Sequence, residues 1–518
     1  MLARVQPQGQ VNQLKVTWQQ QDGAPLRYTA RGHVRQFAMQ RDAQADGVWA
    51  QLPGIQSAQV EFDVSETGGK ARVGVHQGSL TLPAGLDEPR LALTDASVQL
   101  AWQLKGDEVS VQFTQGRVQN DDVAGEFNGN WKTGERGERL PGVLDLTASF
   151  SRAQVAHVHR YLPNTLPADV RAYVRQAVLA GDGSHGLLRL RGHLKDMPFD
   201  NPKLGEFRVS AHIAHGRYVY VPAPTPKPKA APEPVWPALT EVDGELVFER
   251  SALRFNGRTQ LAGAPDVTWQ KVEAQVPNLA DAVVSVTGEA RGPLKQVLDV
   301  IAKSALNELT GTVLNKSQAT GDANYQLALT LPLAQLKDTQ VQGSVGFADN
   351  ALQVIPGTPV LNRTRGTLQF SESGFKLKGL QAQLLGGEAN LEGGLSFVPN
   401  QDQSPLQLKI KGELTAEGLR QAKELGFVSR LAQRAKGKSE YSATLGLRRG
   451  EPELLITSNL KGMALSLPAF AHRVTVFGST RNSAATSAGV NRCSDSEPFT
   501  DMPASVLARP EQVPGISG

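Results

Sequence analysis

One glycine-rich stretch matches a nucleotide-binding pattern. Gly181-Asp182-Gly183-Ser184-His185-Gly186 fits the spacing G-x-G-x-x-G letter for letter. A dinucleotide site needs a strand before these glycines and a helix after them, because the pyrophosphate lies at the helix N-terminus. Here a helical pattern precedes the glycines and a strand pattern follows. This reversed order favours a helix C-cap and a turn over a nucleotide site.

Two histidine pairs have spacings that could suggest a metal site, His157 with His159 and His212 with His215. Residues two apart do not face each other on a helix, and residues three apart point to opposite faces of a strand. Neither a cysteine nor a close acidic cluster completes a ligand set. The sequence therefore predicts no metal and no cofactor. It also contains no serine nucleophile elbow, phosphate-binding loop or zinc-protease motif, so it predicts that the protein is not an enzyme.

A third pattern, G-x-φ-x-F-x₄-φ-x-φ with φ apolar, occurs three times, starting at Gly244, Gly343 and Gly366. The apolar residues alternate and so share one face of a strand. The residues between the two halves are turn formers, so each copy predicts a β-hairpin. The apolar positions, which we predict to line one continuous surface, are Leu246, Phe248, Leu253, Phe255, Val345, Phe347, Leu352, Val354, Leu368, Phe370, Phe375 and Leu377.

The composition agrees with a long repetitive β protein. A chain of 518 residues is too long for one compact core, but an extended sheet escapes that limit because each unit packs only on its neighbours. Glycine is abundant at 51 residues, while aromatic residues make up only 6%. The net charge of +4 and the absence of a basic stripe with interleaved aromatics give no support to a nucleic-acid partner.

Changes in pattern divide the chain into segments. A β segment is predicted for 1–148, a helix-rich insert with strands for 149–221 and a proline-rich loop for 222–237. A hairpin segment is predicted for 238–292, a helix for 293–312, and repeated hairpins with one helix, at 416–435, for 313–467. We interpret residues 468–518, which contain the single cysteine Cys493, as an atypical tail that is disordered or results from a frame shift. The N-terminus resembles no signal peptide, and no run of 18 apolar residues occurs.

The order of several short motifs resembles the AsmA-like superfamily of Gram-negative envelope proteins, and within it the YhdP family. The likeness covers residues 1–467 and predicts an internal fragment of a longer protein. The motifs are Pro7-Gln8-Gly9 with Leu14, Val16 and Trp18, Tyr161-Leu162-Pro163 with a helical segment ending at Gly181, Gly192 with Met197-Pro198-Phe199, Trp236-Pro237 before Gly244, Gly292-Pro293-Leu294, and Leu329-x-Leu331-Pro332-Leu333.

The resemblance implies a mostly β fold in which a long, curved, antiparallel and repetitive sheet forms an open hydrophobic groove, with a few short helices. It implies a passive conduit or binding groove for phospholipids between the inner and outer membranes. It further implies a periplasmic location, an inner-membrane anchor through an N-terminal helix missing from this chain, and outer-membrane or periplasmic proteins as further partners. A structural or assembly protein of the envelope, whose apolar faces pack on each other as a sandwich, is the alternative that the residues leave open.

Overall fold

The structure is a computed structural model. It describes residues 6–466 except for gaps at 21–26, 41–52, 83–85, 87, 136–139, 165, 223–234, 282, 310–312, 333–334, 336–337, 397–405 and 449–450. The predicted tail and most of the proline-rich loop therefore lie outside the described residues.

Strands dominate the described part of the chain, as the alternating apolar pattern predicts. Their bounds are β1 Gln8–Gln19, β2 Arg27–Met39, β3 Gly54–Ser65, β4 Gly68–Thr81, β5 Arg90–Lys105, β6 Glu108–Gln119, β7 Val123–Lys132, β8 Val143–Gln154, β9 Val178–His193, β10 Gly205–Tyr218, β11 Leu239–Glu249, β12 Ala252–Leu261, β13 Ala264–Val276, β14 Val283–Pro293, β15 Gln318–Thr320, β16 Asp322–Pro332, β17 Gln340–Gln353, β18 Leu361–Ser371, β19 Gly374–Leu384, β20 Gly387–Ser396, β21 Leu406–Thr415, β22 Ala435–Arg448, β23 Glu451–Ser458 and β24 Met463–Leu465.

The described helices are short. The α-helices are α1 Ala168–Ala177, α2 Leu294–Lys303, α3 Leu306–Leu309, α4 Ala416–Gln421 and α5 Phe427–Ala432, and the 3₁₀ turns are Val155–Tyr161, Leu194–Asp196, Val313–Lys316 and Lys423–Leu425. None of the described helices is both long enough and apolar enough to cross a bilayer.

The strands form one open antiparallel sheet of 24 strands in the described residues. Most strands pair with the next along the chain, for example β4 with β5 and β18 with β19, while the short strands β15 and β24 pair with β17 and β22. The pairing continues across the first helical insert, where β8 pairs with β9, and across the second, where β14 pairs with β16. The mostly β, antiparallel and repetitive fold class is therefore confirmed.

Three of the described connections contain α-helices, and all three lie on the same side of the sheet's length, where the strands end. They join β8 to β9, β14 to β16, and β21 to β22. Six strands, β9 to β14, separate the first connection from the second, and six more, β16 to β21, separate the second from the third. Because neighbouring strands are antiparallel, an even number of strands returns the chain to the same edge.

Bulges interrupt the ladders repeatedly and bend the sheet. They coincide with polar residues in the left-handed backbone region, including Ser57 (φ 62°), His215 (φ 51°), Glu241 (φ 48°) and Lys271 (φ 49°). A bulge places two residues opposite one, which bends its strand and increases the local twist. Such bulges recur in many of the described strand pairs.

The apolar side of the sheet is packed only in patches. One core forms where α2 presents Leu294, Leu298 and Val300 to strand residues such as Val267 and Tyr325. A second forms where α4 and α5 pack on β19 to β22, and a smaller third lies on β3 to β5. The helices therefore cover parts of the apolar face rather than all of it.

The helix predicted for residues 416–435 is wrong as a single element. Helix α4 ends at Gln421, a 3₁₀ turn follows, and α5 begins after Gly426. Gly426 has φ 55° and ψ −107°, a conformation that glycine adopts without a steric penalty and that cannot continue a helix. The apolar stripe is thus folded into two short helices.

Candidate functional site

The first and third copies of the repeated pattern are hairpins, as predicted. In the first copy Leu246 pairs with Phe255 and Phe248 with Leu253, across the turn between Glu249 and Ala252. In the third copy the paired residues are Leu368 with Leu377 and Phe370 with Phe375, across the turn between Ser371 and Gly374. Both hairpins return their apolar residues to the face they started from.

The hairpin predicted for the second copy is wrong. Strand β17 runs through the predicted turn without reversing, and Leu352 pairs with Ala319 on one side and Leu361 on the other. Val354 follows the end of this strand. The supposed turn is a bulge at Asp349, where φ is 65°.

The side chain of Asn350 explains why this bulge is stable. It is fully buried, at 0% exposure. Its Oδ1 accepts a hydrogen bond from the Ala348 backbone N–H at 2.8 Å, and its Nδ2 donates to the carbonyls of Thr320 at 2.9 Å and Asp322 at 3.1 Å. Asparagine is a turn former by type, but here it satisfies backbone groups that the break between β15 and β16 leaves open.

The twelve predicted lining residues share one property in the structure, which is that every one of them is partly exposed and none is buried. Val345, Phe347 and Leu352 contact the core beneath α2 at their edges. Phe347 and Leu377 contact the core beneath α4 and α5. The apolar residues of β17 and β19 therefore contact these two cores, and the twelve residues together are only partly covered by protein.

The opposite face of the same strands is polar. Asn324 pairs with Gly346, Gln326 with Ser344, and Ser344 in turn with Gln369, so their side chains form a row across β16, β17 and β18. With Thr367 and Lys378 they line an open depression of about 620 Å³. Successive residues of a strand point to opposite faces, so the polar row lies behind Val345 and Leu368. These strands therefore have one polar face and one apolar face.

One contributor to the apolar face was absent from the sequence prediction. The ring of Phe207 on β10 lies 5.4 Å from that of Phe248, edge to face at 67°. Offset or edge-on pairs of this kind add to the stabilisation from area burial. The alternation of Phe207 with Val209 indicates a strand with an apolar face, but these residues lie outside the threefold pattern.

A buried carboxylate fastens the first helical connection to the sheet. Asp122, in the turn between β6 and β7, is 7% exposed. It accepts hydrogen bonds from Arg160 at 3.1 Å and from the Tyr161 hydroxyl at 3.1 Å, and it contacts His157 Nδ1 at 2.5 Å. Burial would raise the pKa of Asp122, but the hydrogen bonds from Arg160, His157 and Tyr161 outweigh it and lower the pKa below its usual value.

The glycine motif and the second histidine pair both lie within strands of the sheet. Gly181 to Gly186 lie inside β9, and α1 ends at Ala177, so the predicted C-cap and turn are wrong at this point. The glycines allow close strand contact, since a Cβ on Gly186 would lie 2.9 Å from Phe150. His212 and His215 face single carboxylates, Asp243 at 3.9 Å and Asp182 at 3.4 Å. In the part of the chain that the structure describes, no three metal-ligating side chains are grouped.

Taken together, a single open sheet with one apolar and one polar face defines an extended β protein, distinct from a two-layer sandwich. The chain belongs to the YhdP family, since the sequence model described as "YhdP protein" matches residues 1–485. This confirms the resemblance, and the match extends past residue 467. Among curated proteins, the chain is similar to the intermembrane phospholipid transporter YhdP of Escherichia coli (strain K12), with 24% identity over 250 residues.

The match with the Escherichia coli protein covers 48% of this chain and 18% of the relative. The chain thus corresponds to a small part of that protein's length. No solved structure matches the chain.

Proposed function

We propose that this chain is a segment of a phospholipid conduit, in which the apolar face of the sheet holds acyl chains and the head groups stay at the wet edge. The observation that carries the proposal is the partial exposure of the predicted lining residues, all of which except Val354 lie on strands of one open sheet. Soluble proteins rarely leave large continuous apolar surfaces uncovered unless a ligand or partner binds there.

The energetics favour acyl chains as the ligand. Burying a methylene group gains about 0.8 kcal/mol, which is the same scale that holds a lipid in a bilayer. Movement from a bilayer onto such a face, and along it, is therefore close to isoenergetic and needs no catalytic residue. The name of the Escherichia coli relative, an intermembrane phospholipid transporter, agrees with this use of the face.

By the same reasoning the protein works in the envelope, between the two membranes, with phospholipids as its main partners. Inner-membrane anchoring and contacts with other envelope proteins stay predictions of the resemblance. The structural alternative requires the apolar face to be closed by protein, and the described strands form one layer with only patches of helix over it.

Native mass spectrometry of the purified chain tests the proposal. We expect phospholipid adducts that survive mild desolvation and disappear after detergent exchange. A folded protein without bound lipid, and without uptake from added phospholipid, would contradict the conduit and favour the structural alternative.

A further inference from the structure

The connection formed by α4 and α5 carries a surface that the conduit does not use. Helix α5 packs on the sheet through Ser429 and Ala432, which are buried. Its other side presents Phe427, Val428 and Leu431, with exposures of 66%, 45% and 36%. Residues three and four apart are neighbours on a helix, so these three side chains form one apolar patch.

Two exposed arginines lie beside this patch. Arg430 and Arg434 flank it at the spacing of one helical turn, and both are exposed. Between Lys423 and Lys438 the chain has five basic residues against one acidic residue, Glu424, and one of the five, Lys438, is paired with Glu413 at 2.9 Å. Within the described residues, neither Arg430 nor Arg434 has a carboxylate partner among the ion pairs, whereas Arg420 is paired with Glu417.

Hydrogen bonds fix the orientation of α5. Ser429 Oγ donates to the Arg420 carbonyl at 3.0 Å, and the Arg420 guanidinium donates to the carbonyls of Ala432 at 3.4 Å and Ala435 at 3.2 Å. These bonds tie α5 to α4 and hold Ser429 and Ala432 against the sheet. The apolar patch and its arginines therefore face away from the strands.

The second helical connection does not have this arrangement. The apolar stripe of α2 is packed in the core, and none of its large apolar side chains is exposed. Lys295 of α2 is paired with Asp299 at 2.5 Å. Helix α2 therefore provides a matched control within the same chain.

The geometry points to the α4–α5 surface, defined by Phe427, Val428, Leu431, Arg430 and Arg434, as a contact site for the surface of an anionic phospholipid bilayer. Interfacial helices bind membranes in this way. Their apolar residues enter the boundary between head groups and acyl chains, and neighbouring basic residues contact the lipid phosphates. The charge of the patch is complementary to such a surface. This goes beyond the conduit, because it concerns docking to a bilayer rather than lipid held on the sheet.

Vesicle flotation of the full chain tests the site, with vesicles of phosphatidylcholine alone and of phosphatidylcholine mixed with phosphatidylglycerol. We expect about tenfold tighter binding to the anionic vesicles, weakening with salt. Arg430→Glu with Arg434→Glu should remove that preference, and Phe427→Ser with Leu431→Ser should weaken binding to both vesicle types. Lys295→Glu with Lys303→Glu on α2 should leave binding unchanged.

Equal binding to neutral and anionic vesicles, or full binding by the Arg430→Glu, Arg434→Glu variant, would overturn the site. Absence of binding to any vesicle would also overturn it and leave an acidic protein as the alternative occupant. If the charge-reversed variant is misfolded by circular dichroism, Arg430→Gln with Arg434→Gln replaces it. Co-purified lipid measured on the same variants reports on the conduit separately, and we expect it to be unchanged.

Discussion

Replacing Leu368 with aspartate separates a lipid-holding face from a packed protein core. Leu368 lies on β18 between Val345 and Leu377 on the neighbouring strands, and it belongs to none of the three cores. Phe347 is a poorer choice, because it contacts two cores at once and its loss would destabilise both. Because Leu368 is partly exposed, a carboxylate at this position would stay hydrated in the lipid-free protein.

The expected magnitudes differ between the two accounts. On an open face, Leu368→Asp costs part of one leucine's burial, about 1 kcal/mol of stability. It also removes contact with two or three acyl methylenes, worth about 2 kcal/mol, which lowers lipid affinity about 30-fold. In a closed core, an unpaired buried carboxylate would cost several kcal/mol and unfold the region.

The assay combines native mass spectrometry for bound lipid with thermal unfolding. The control is Gln369→Asp, one residue away on the polar face, which should change neither readout. Loss of lipid from a stable Leu368→Asp protein supports the conduit. Unfolding of Leu368→Asp, or equal loss of lipid in both variants, would refute the assignment of faces.

Three further perturbations test the fold around the site. Asp122→Asn should reduce hydrogen-exchange protection of residues 155–161 at pH 7 by about 2 kcal/mol. Because the folded pKa of Asp122 is lowered, its contribution is complete above the unfolded pKa of about 3.9 and is lost as the pH falls through the folded value, so wild-type protection that is independent of pH in this range would contradict it. Gly343→Val should displace the Phe370 ring, whose Cζ lies 2.2 Å from the position of a Cβ, and lower the free energy of unfolding by about 2 kcal/mol. An unchanged melting temperature would show that the ring moves without cost. Asn350→Leu should cost about 3 kcal/mol by leaving buried backbone groups without partners, and wild-type stability would show that water replaces the amide.

Local patterns in the sequence were sufficient for most of the fold. The repeated patterns starting at Gly244 and Gly366 predicted the β11–β12 and β18–β19 hairpins that the structure shows. Alternation fixes which residues share a face, and turn residues fix where a strand reverses. Alternation and turn residues are both local properties of the chain, so they can be recognised in the sequence.

The failures share a physical cause, which is that tertiary contacts decided the outcome. The Asp349-Asn350 pair reads as a turn, but the buried Asn350 amide bonds to a distant strand segment and β17 continues. The glycines from Gly181 to Gly186 read as a helix end, yet their small size serves strand contacts inside β9. The contacts of Asn350 and of these glycines involve residues about 30 positions away in the sequence, so local spacing does not predict them.

In the candidate site, too, local patterns predicted part of the structure and tertiary contacts determined the rest. Alternation predicted the apolar face, but not how much of it the protein itself would cover. That depends on where α2, α4 and α5 pack, and on their spacing of six strands along one edge. The patch of Phe427, Val428 and Leu431 was not predicted. It lies within the single helix expected for 416–435, and the break at Gly426 is set by tertiary structure.

Photo-crosslinking on adjacent residues tests the central claim most directly, which is that the apolar face holds acyl chains. A photoreactive amino acid is placed in turn at Leu368 and Gln369 on β18, and at Val345 and Ser344 on β17, in protein loaded with labelled phospholipid. The account predicts crosslinks at Leu368 and Val345 and none at Gln369 and Ser344. Crosslinks of equal yield on both faces, or none on either, would contradict it.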